Sequence, residues 1–236
     1  YLFLKAQGLA GKPVADIRID GAGKKVTRSD NCRVSDLSVS SDNLTFTYEA
    51  KSLPYPIDTS YYDNEKHTQA DALSVIPFMD EMNYEGLSVS GLSDGYYGLT
   101  IGGEFIGRFT ARELERGINM ALLQNTPQYK QAMKIRQMNE ERWLKERKMR
   151  EFYWVEYNLM RKTGMLWACN EAAVDTLRKY RPHDIFLQWN GDLWLQYMHK
   201  GIREDCVNEQ QDLVDRIYEQ NKPIPLQIEI KKFTDL

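Results

Sequence analysis

Cysteine and histidine are scarce, with three of each in 236 residues. Cys32, Cys169 and Cys206 lie far apart and His67, His183 and His199 are scattered, so neither C-x-x-C pairs nor H-E-x-x-H is present. The common zinc spacings are therefore excluded, and an odd set of three thiols reads as ordinary buried or half-buried cysteines rather than as a disulfide framework. No apolar run approaches the roughly 20 residues that a membrane-spanning helix needs. A charge excess is missing too: 31 basic against 34 acidic residues give a net charge of -3. That balance offers no overall attraction for nucleic acid or for an anionic membrane. There is no P-loop, and Gly21-Ala22-Gly23 is too short for a dinucleotide fingerprint. No cofactor and no metal is expected, and no internal repeat or low-complexity segment stands out.

What remains is a chain whose pattern changes along its length. Tyr1 to Ala10 reads as the last turns of a helix ended by Gly8 and Gly11, as though a preceding domain had been removed, so residues 1–11 are assigned to the end of such a helix. Residues 12–109 are read as a β-rich module, because apolar positions recur with period two. The alternating segments are Val14–Ile19, Val34–Val39, Leu44–Tyr48, Gly86–Ser90, Tyr96–Ile101 and Phe105–Phe109. Ser41-Asp42-Asn43 fits a hairpin connection, and Gly91, Gly95, Gly102 and Gly103 fit corners. The polar stretch from Ser60 to Asp71 reads as an exposed loop. Residues 110–236 are read as a helical module with an extended tail. Thr110 with Glu113 forms a capping box, and Leu114, Ile118, Ala121 and Leu122 continue it as one apolar stripe. Thr126-Pro127 opens a second helix, and the absence of Pro from 128 to 181 allows it to be long, with Gly164 as a break. A last helix is expected from Leu193 to Gln220. The alternating tail Leu226–Ile230 then pairs as an edge strand or docks on the surface. The fold class is α+β: an antiparallel sheet or sandwich followed by long helices.

Catalytic motifs are scarce in the sequence. A nucleophilic hydrolase needs an activated Ser or Cys, a base within reach and donors for the oxyanion. His67 lies in a polar stretch, His183 follows Arg181-Pro182 in a connection, and His199 sits among aromatic and apolar neighbours. No Ser occupies a strand–turn–helix elbow of the G-x-S-x-G type. Gly191-Asp192-Leu193 lacks the hydroxyl that a Gly-Asp-Ser nucleophile would carry. No catalytic residue is assigned. The charged run Lys134 to Glu151, with Phe152-Tyr153-Trp154 behind it, could face a nucleic acid, but its interleaved acids spoil a phosphate-binding stripe. It reads better as an exposed helix with i,i+4 pairs such as Glu141–Lys145. Trp189 and Trp194, in Phe186–Trp194, are candidates for stacking on a carbohydrate; aromatics at this spacing more often pack in a core.

Two adjacent segments carry a resemblance. Leu87–Gly103 (LSVSGLSDGYYGLTIGG) is similar to a hairpin that follows the catalytic domain in some bacterial SGNH/GDSL-type hydrolases, with Gly102 standing where that pattern usually has Asp. Gly107–Leu123 (GRFTARELERGINMALL) resembles the segment that follows it in the same group. The similarity extends from Tyr1 to about Lys162 and fades beyond. It implies a C-terminal accessory segment that supports an upstream SGNH-type catalytic domain and helps to wall its substrate cleft. The nucleophilic Ser, oxyanion-hole Gly and Asn, and Asp-His pair of that family would all lie before Tyr1, since nothing here matches their motifs. A secreted or periplasmic location is implied by the resemblance alone. Two other classes stay open: a glycan-binding module using Trp189 or Trp194, and an oligomerisation unit built on the long helices.

Overall fold

The computed structural model describes residues 1–60 and 66–233. Part of the polar stretch expected as a loop, residues 61–65, lies outside them; in its described part, Gln69–Ser74 forms a 3-10 turn capped by Thr68 and Asp71. Two compact units are present: residues 1–134 together with 220–236, and residues 135–219.

The first unit opens with α1 (Leu2–Ala6), which has no buried residue. The strands that follow are β1 (Ala15–Asp20), β2 (Lys25–Asp30), β3 (Cys32–Val39) and β4 (Asn43–Ala50). After α2 (Phe78–Glu81) come β5 (Glu85–Ser90), β6 (Tyr96–Ile101), β7 (Glu104–Thr110), α3 (Ala111–Arg116) and β8 (Ile118–Asn119). The unit is completed by β9 (Leu226–Lys232), close to the chain end. The strands form two sheets, ordered β2-β1-β5-β8 and β3-β4-β9-β6-β7. One cluster of buried side chains takes Ile17, Ile19, Leu87 and Val89 from the first sheet and Leu44, Phe46, Tyr97, Leu99 and Ile228 from the second. The module is thus a β-sandwich, as the period-two alternation predicts. One pairing breaks the antiparallel rule: β1 and β5 run parallel, with Ile17 opposite Leu87.

The tail is not at an edge. β9 lies between β4 and β6 and pairs antiparallel with both. Its alternation supplies the reason, because Leu226, Ile228 and Ile230 all point into the core and each lies opposite a residue on a neighbouring strand. Phe46, Ile228 and Ile101 form one such row across three strands, and Leu44, Ile230 and Leu99 form the next.

The capping box at Thr110 is present, with the hydroxyl accepting from Glu113 N–H and the Glu113 carboxylate accepting from Thr110 N–H at 2.7 Å. The helix it starts is shorter than the apolar stripe suggests. It stops at Gly117, whose φ of +94° only glycine adopts readily, and Ile118–Asn119 then pairs with β5. Asn119 explains the change of structure. Its Oδ1 accepts from the N–H groups of Glu85 and Ala121, while Nδ2 donates to the carbonyls of Met79 and Asn83.

Helix α4 (Pro127–Val155) begins at the expected Pro and passes into a π-helical turn at Glu156–Met160. The second unit also holds α5 (Glu171–Tyr180), α6 (Ile185–Tyr197) and α7 (Lys200–Gln220). Its core gathers Phe152, Val155, Met160, Leu177, Trp194 and Cys206. The single helix expected over 193–220 is two helices, and the Arg203 guanidinium caps the break by donating to the carbonyls of Tyr197 and Met198. Along α4 three arginines carry their counter-charges one turn on: Arg136–Glu140, Arg142–Glu146 and Arg147–Glu151 are i,i+4 pairs. Lys145 stands 4.0 Å from Glu141 but only 2.6 Å from Glu209, so it ties α4 to α7.

Candidate functional site

The second unit brings together side chains that lie far apart in the sequence, and the π-helical turn organises them. A π turn carries an extra residue per turn and re-aims the side chains around it, which is why such turns are frequent at functional sites. Here it turns Glu156 inward. This carboxylate is buried, accepts from the Trp194 indole N–H at 2.7 Å and from the backbone N–H of Trp167 at 2.8 Å. The second bond pins a residue with φ of +62°, a conformation unusual for a bulky side chain. Glu156 therefore fixes both the loop after the π turn and the core indole of α6.

Asn158 and Leu159 of the same turn help to line a groove of about 380 Å³. Trp154, Leu159 and Leu187 form apolar walls, and Asn158, Lys162, Tyr180, His183 and Asp184 supply polar groups. Asn158 Nδ2 donates to the Trp154 carbonyl at 2.9 Å, leaving its Oδ1 as an acceptor. Asp184 is the N-cap of α6, its Oδ1 accepting from the N–H groups of Phe186 and Leu187. Arg181 braces the same corner through a two-pronged pair with Asp192, at 2.7 and 2.8 Å. That pair raises the guanidinium's affinity for its proton and lowers the Asp192 carboxyl below its ordinary range.

The two tryptophans considered for carbohydrate stacking occupy opposite environments. Trp194 has 0 % exposure and a committed N–H, so neither face is open to a ligand. Trp189 is 68 % exposed and meets Phe186 edge-on at 5.5 Å, and Phe186 in turn packs on Trp154 at 5.3 Å. A stacking platform, if built here, would use Trp189 and not Trp194.

Of the histidines, His183 lines the groove and His199 lies exposed between α6 and α7. His199 has a partner that no motif announces: its Nδ1 lies 3.4 Å from the Cys169 thiol, thirty residues away. A thiol beside an imidazole can pass its proton to the ring and act as a nucleophile. Among the described residues, however, no side chain orients the ring from its other nitrogen, and Cys169 and His199 are both exposed. Nor does any group of three or more His, Cys, Asp or Glu among the described residues have a geometry suited to a metal ion. The chain spacing gave no signal for the groove or for the Cys169–His199 contact. Phe152-Tyr153-Trp154 and Arg181-Pro182-His183 were visible as segments but not as neighbours.

The architecture is thus that of an α+β chain whose helical unit carries the groove, and this unit is the part that a known family matches. Residues 133–222 are similar to the family described as the diltiazem deacetylase C-terminal helical domain. The whole chain is similar to a solved structure described as a gut microbial diltiazem-metabolizing enzyme. The sequences are 38% identical, the TM-score is 0.92, and the match covers 99% of this chain and 53% of that one. The chain spans about half the length of that enzyme. No curated protein matches it. The helical unit is therefore similar to a domain described as the C-terminal one of a deacetylase.

Proposed function

We propose that this chain is the C-terminal accessory segment of an ester hydrolase of the SGNH/GDSL type, and that the nucleophile, base and oxyanion donors belong to another part of the enzyme. The observation that carries this reading is the match of nearly the whole chain to about half of an enzyme described as metabolizing diltiazem. A deacetylase cleaves an acetyl group, and release of an O-acetyl group is ester hydrolysis, the chemistry that the sequence resemblance implies.

The first unit supplies a surface suited to such a role. Helix α1 presents Leu2 and Phe3 at 77% and 74% exposure and buries nothing of its own. It is tethered to α2 by the Tyr1 hydroxyl and Lys5, both donating to Glu81 at 2.5 and 2.9 Å. Exposed apolar side chains on a fixed element are suited to packing against a further domain. In this reading the sandwich packs on the catalytic domain through α1 and helps to wall the substrate cleft.

The test is made in an intact enzyme that contains this segment. Deleting the segment, or substituting Leu2→Asp and Phe3→Asp together, is expected to lower the melting temperature or to shift preference among acyl esters. Unchanged stability and unchanged preference in both variants would contradict the proposal.

A further inference from the structure

We infer that the groove of the helical unit is a binding site for a small aromatic carboxylate. This is a ligand held by the second unit itself and does not rest on the catalytic reading above. The volume of about 380 Å³ lies at the small end of ligand pockets and suits one or two fused rings. Trp154, Leu159 and Leu187 give such rings an apolar wall, and Trp154 is backed by Phe186 at 5.3 Å, which holds its indole in place.

The sign of the ligand's charge follows from which lining groups already have partners. Lys162, the Tyr180 hydroxyl and His183 make no hydrogen bond or ion pair with any described residue. All three can donate, and they border one groove. The sole lining carboxylate, Asp184, is engaged by two N–H groups at the start of α6, where the helix dipole offsets its charge. Lys162 is thus the lining cation, and it has no carboxylate partner among the described residues. The groove therefore combines free donors and one unpaired cation with apolar walls. A carboxylate at Lys162 and Tyr180 would gain charge-assisted hydrogen bonds, and its ring would take the indole wall. An ammonium ligand would meet the Lys162 cation instead.

The probe is 2-naphthoate, titrated into the full 236-residue chain and followed by ¹⁵N–¹H NMR at the tryptophan indoles and the backbone. Saturable shifts are expected at the Trp154 indole and at residues 158–163 and 180–187. Lys162→Met should weaken binding by about tenfold or more, the size of a lost charge-assisted contact in a half-open site. Lys162 is exposed, so this variant should keep the parent's circular dichroism spectrum. His183→Gln, as a second variant, should weaken binding less. The neutral 2-naphthamide and the cationic 2-naphthylmethylammonium should bind more weakly than the carboxylate. The inference is overturned if the groove residues show no saturable shift, if Lys162→Met binds like the parent, or if either control ligand matches 2-naphthoate.

Discussion

Glu85 and Gln128 face each other in the interior of the sandwich through one hydrogen bond, Gln128 Nε2 to Glu85 Oε1 at 3.2 Å, and each keeps one buried oxygen without a partner. The Tyr48 hydroxyl donates to the same Oε1 at 2.8 Å, so both donors converge on one carboxyl oxygen. A carboxylate here leaves Glu85 Oε2 and Gln128 Oε1 as two buried acceptors without donors, an arrangement that costs free energy in an apolar interior. A proton on Glu85 removes the buried charge and turns one of its oxygens into a donor, so the neutral acid suits this site better than the carboxylate. Burial accordingly pushes the Glu85 carboxyl up from its ordinary value of 4.5 to about 7, against the lowering effect of the bonds from Tyr48 and Gln128.

Stability should therefore depend on pH with a definite sign. The unfolded chain releases the Glu85 proton above pH 4.5, whereas the folded protein holds it to about 7. The contribution of the neutral acid is complete below pH 4.5, declines as pH rises through the window to 7, and is lost above it. The loss amounts to about 3 kcal/mol at most, since one pKa step is worth roughly 1.4 kcal/mol. Neighbouring Tyr48 and Cys32 do not titrate in this window, because burial raises both, Cys32 to about 11. Urea unfolding at pH 5 and pH 8 should show the decline in the parent, and Glu85→Gln should flatten it. A Glu85→Gln variant with the parent's pH dependence would place the titration elsewhere.

The central position of β9 makes a second expectation. Ile228 has no exposure and lies opposite Phe46 on one side and Ile101 on the other. Ile228→Ala should destabilise the sandwich by about 2–5 kcal/mol through lost burial and a residual cavity. Removing 226–232 should abolish its cooperative unfolding, because two strand pairings go with it. Denaturant melts of both variants, followed by near-UV circular dichroism, measure this.

These two sites also show how far a sequence carries. β1, β4, β5 and β6 were legible because each carries buried apolar side chains, which write period two into the residues. β2 (KVTRSD) was not, because it is an exposed edge strand and no alternation is demanded of it. β9 was legible as a strand but not as a central one, since its partners lie about 130 and 180 residues away along the chain, as in Ile101–Ile228 and Phe46–Ile228. The break between α6 and α7 has no Pro to mark it and depends on Arg203 reaching back to two carbonyls. The groove was illegible for the same reason as β9: Trp154, Lys162, Tyr180 and His183 become neighbours only once the π turn and the α5–α6 corner are formed.

The two tryptophans should separate cleanly. Trp194→Phe keeps most of the buried ring but strips Glu156 Oε1 of its donor, which should cost about 1–3 kcal/mol. Trp189→Ala removes an exposed side chain and should change stability by no more than about 0.5 kcal/mol. Thermal melts of the two variants side by side are sufficient.

Cysteine reactivity offers a further test of the helical unit. Cys169 is exposed beside His199, whereas Cys32 and Cys206 are buried. Iodoacetamide should modify Cys169 well before the other two, and His199→Ala should slow that modification if the imidazole assists the thiolate. Peptide mass spectrometry over a time course reads both outcomes. Equal rates at all three thiols would contradict the placement.

The most direct test of the proposed role is hydrolysis of p-nitrophenyl acetate by this chain alone, with a serine-reactive fluorophosphonate probe and the Cys169→Ser variant alongside. An accessory segment predicts no turnover above buffer and no stoichiometric label. Turnover with a labelled serine, or turnover that disappears in Cys169→Ser, would mean that this chain carries its own nucleophile and would contradict the account.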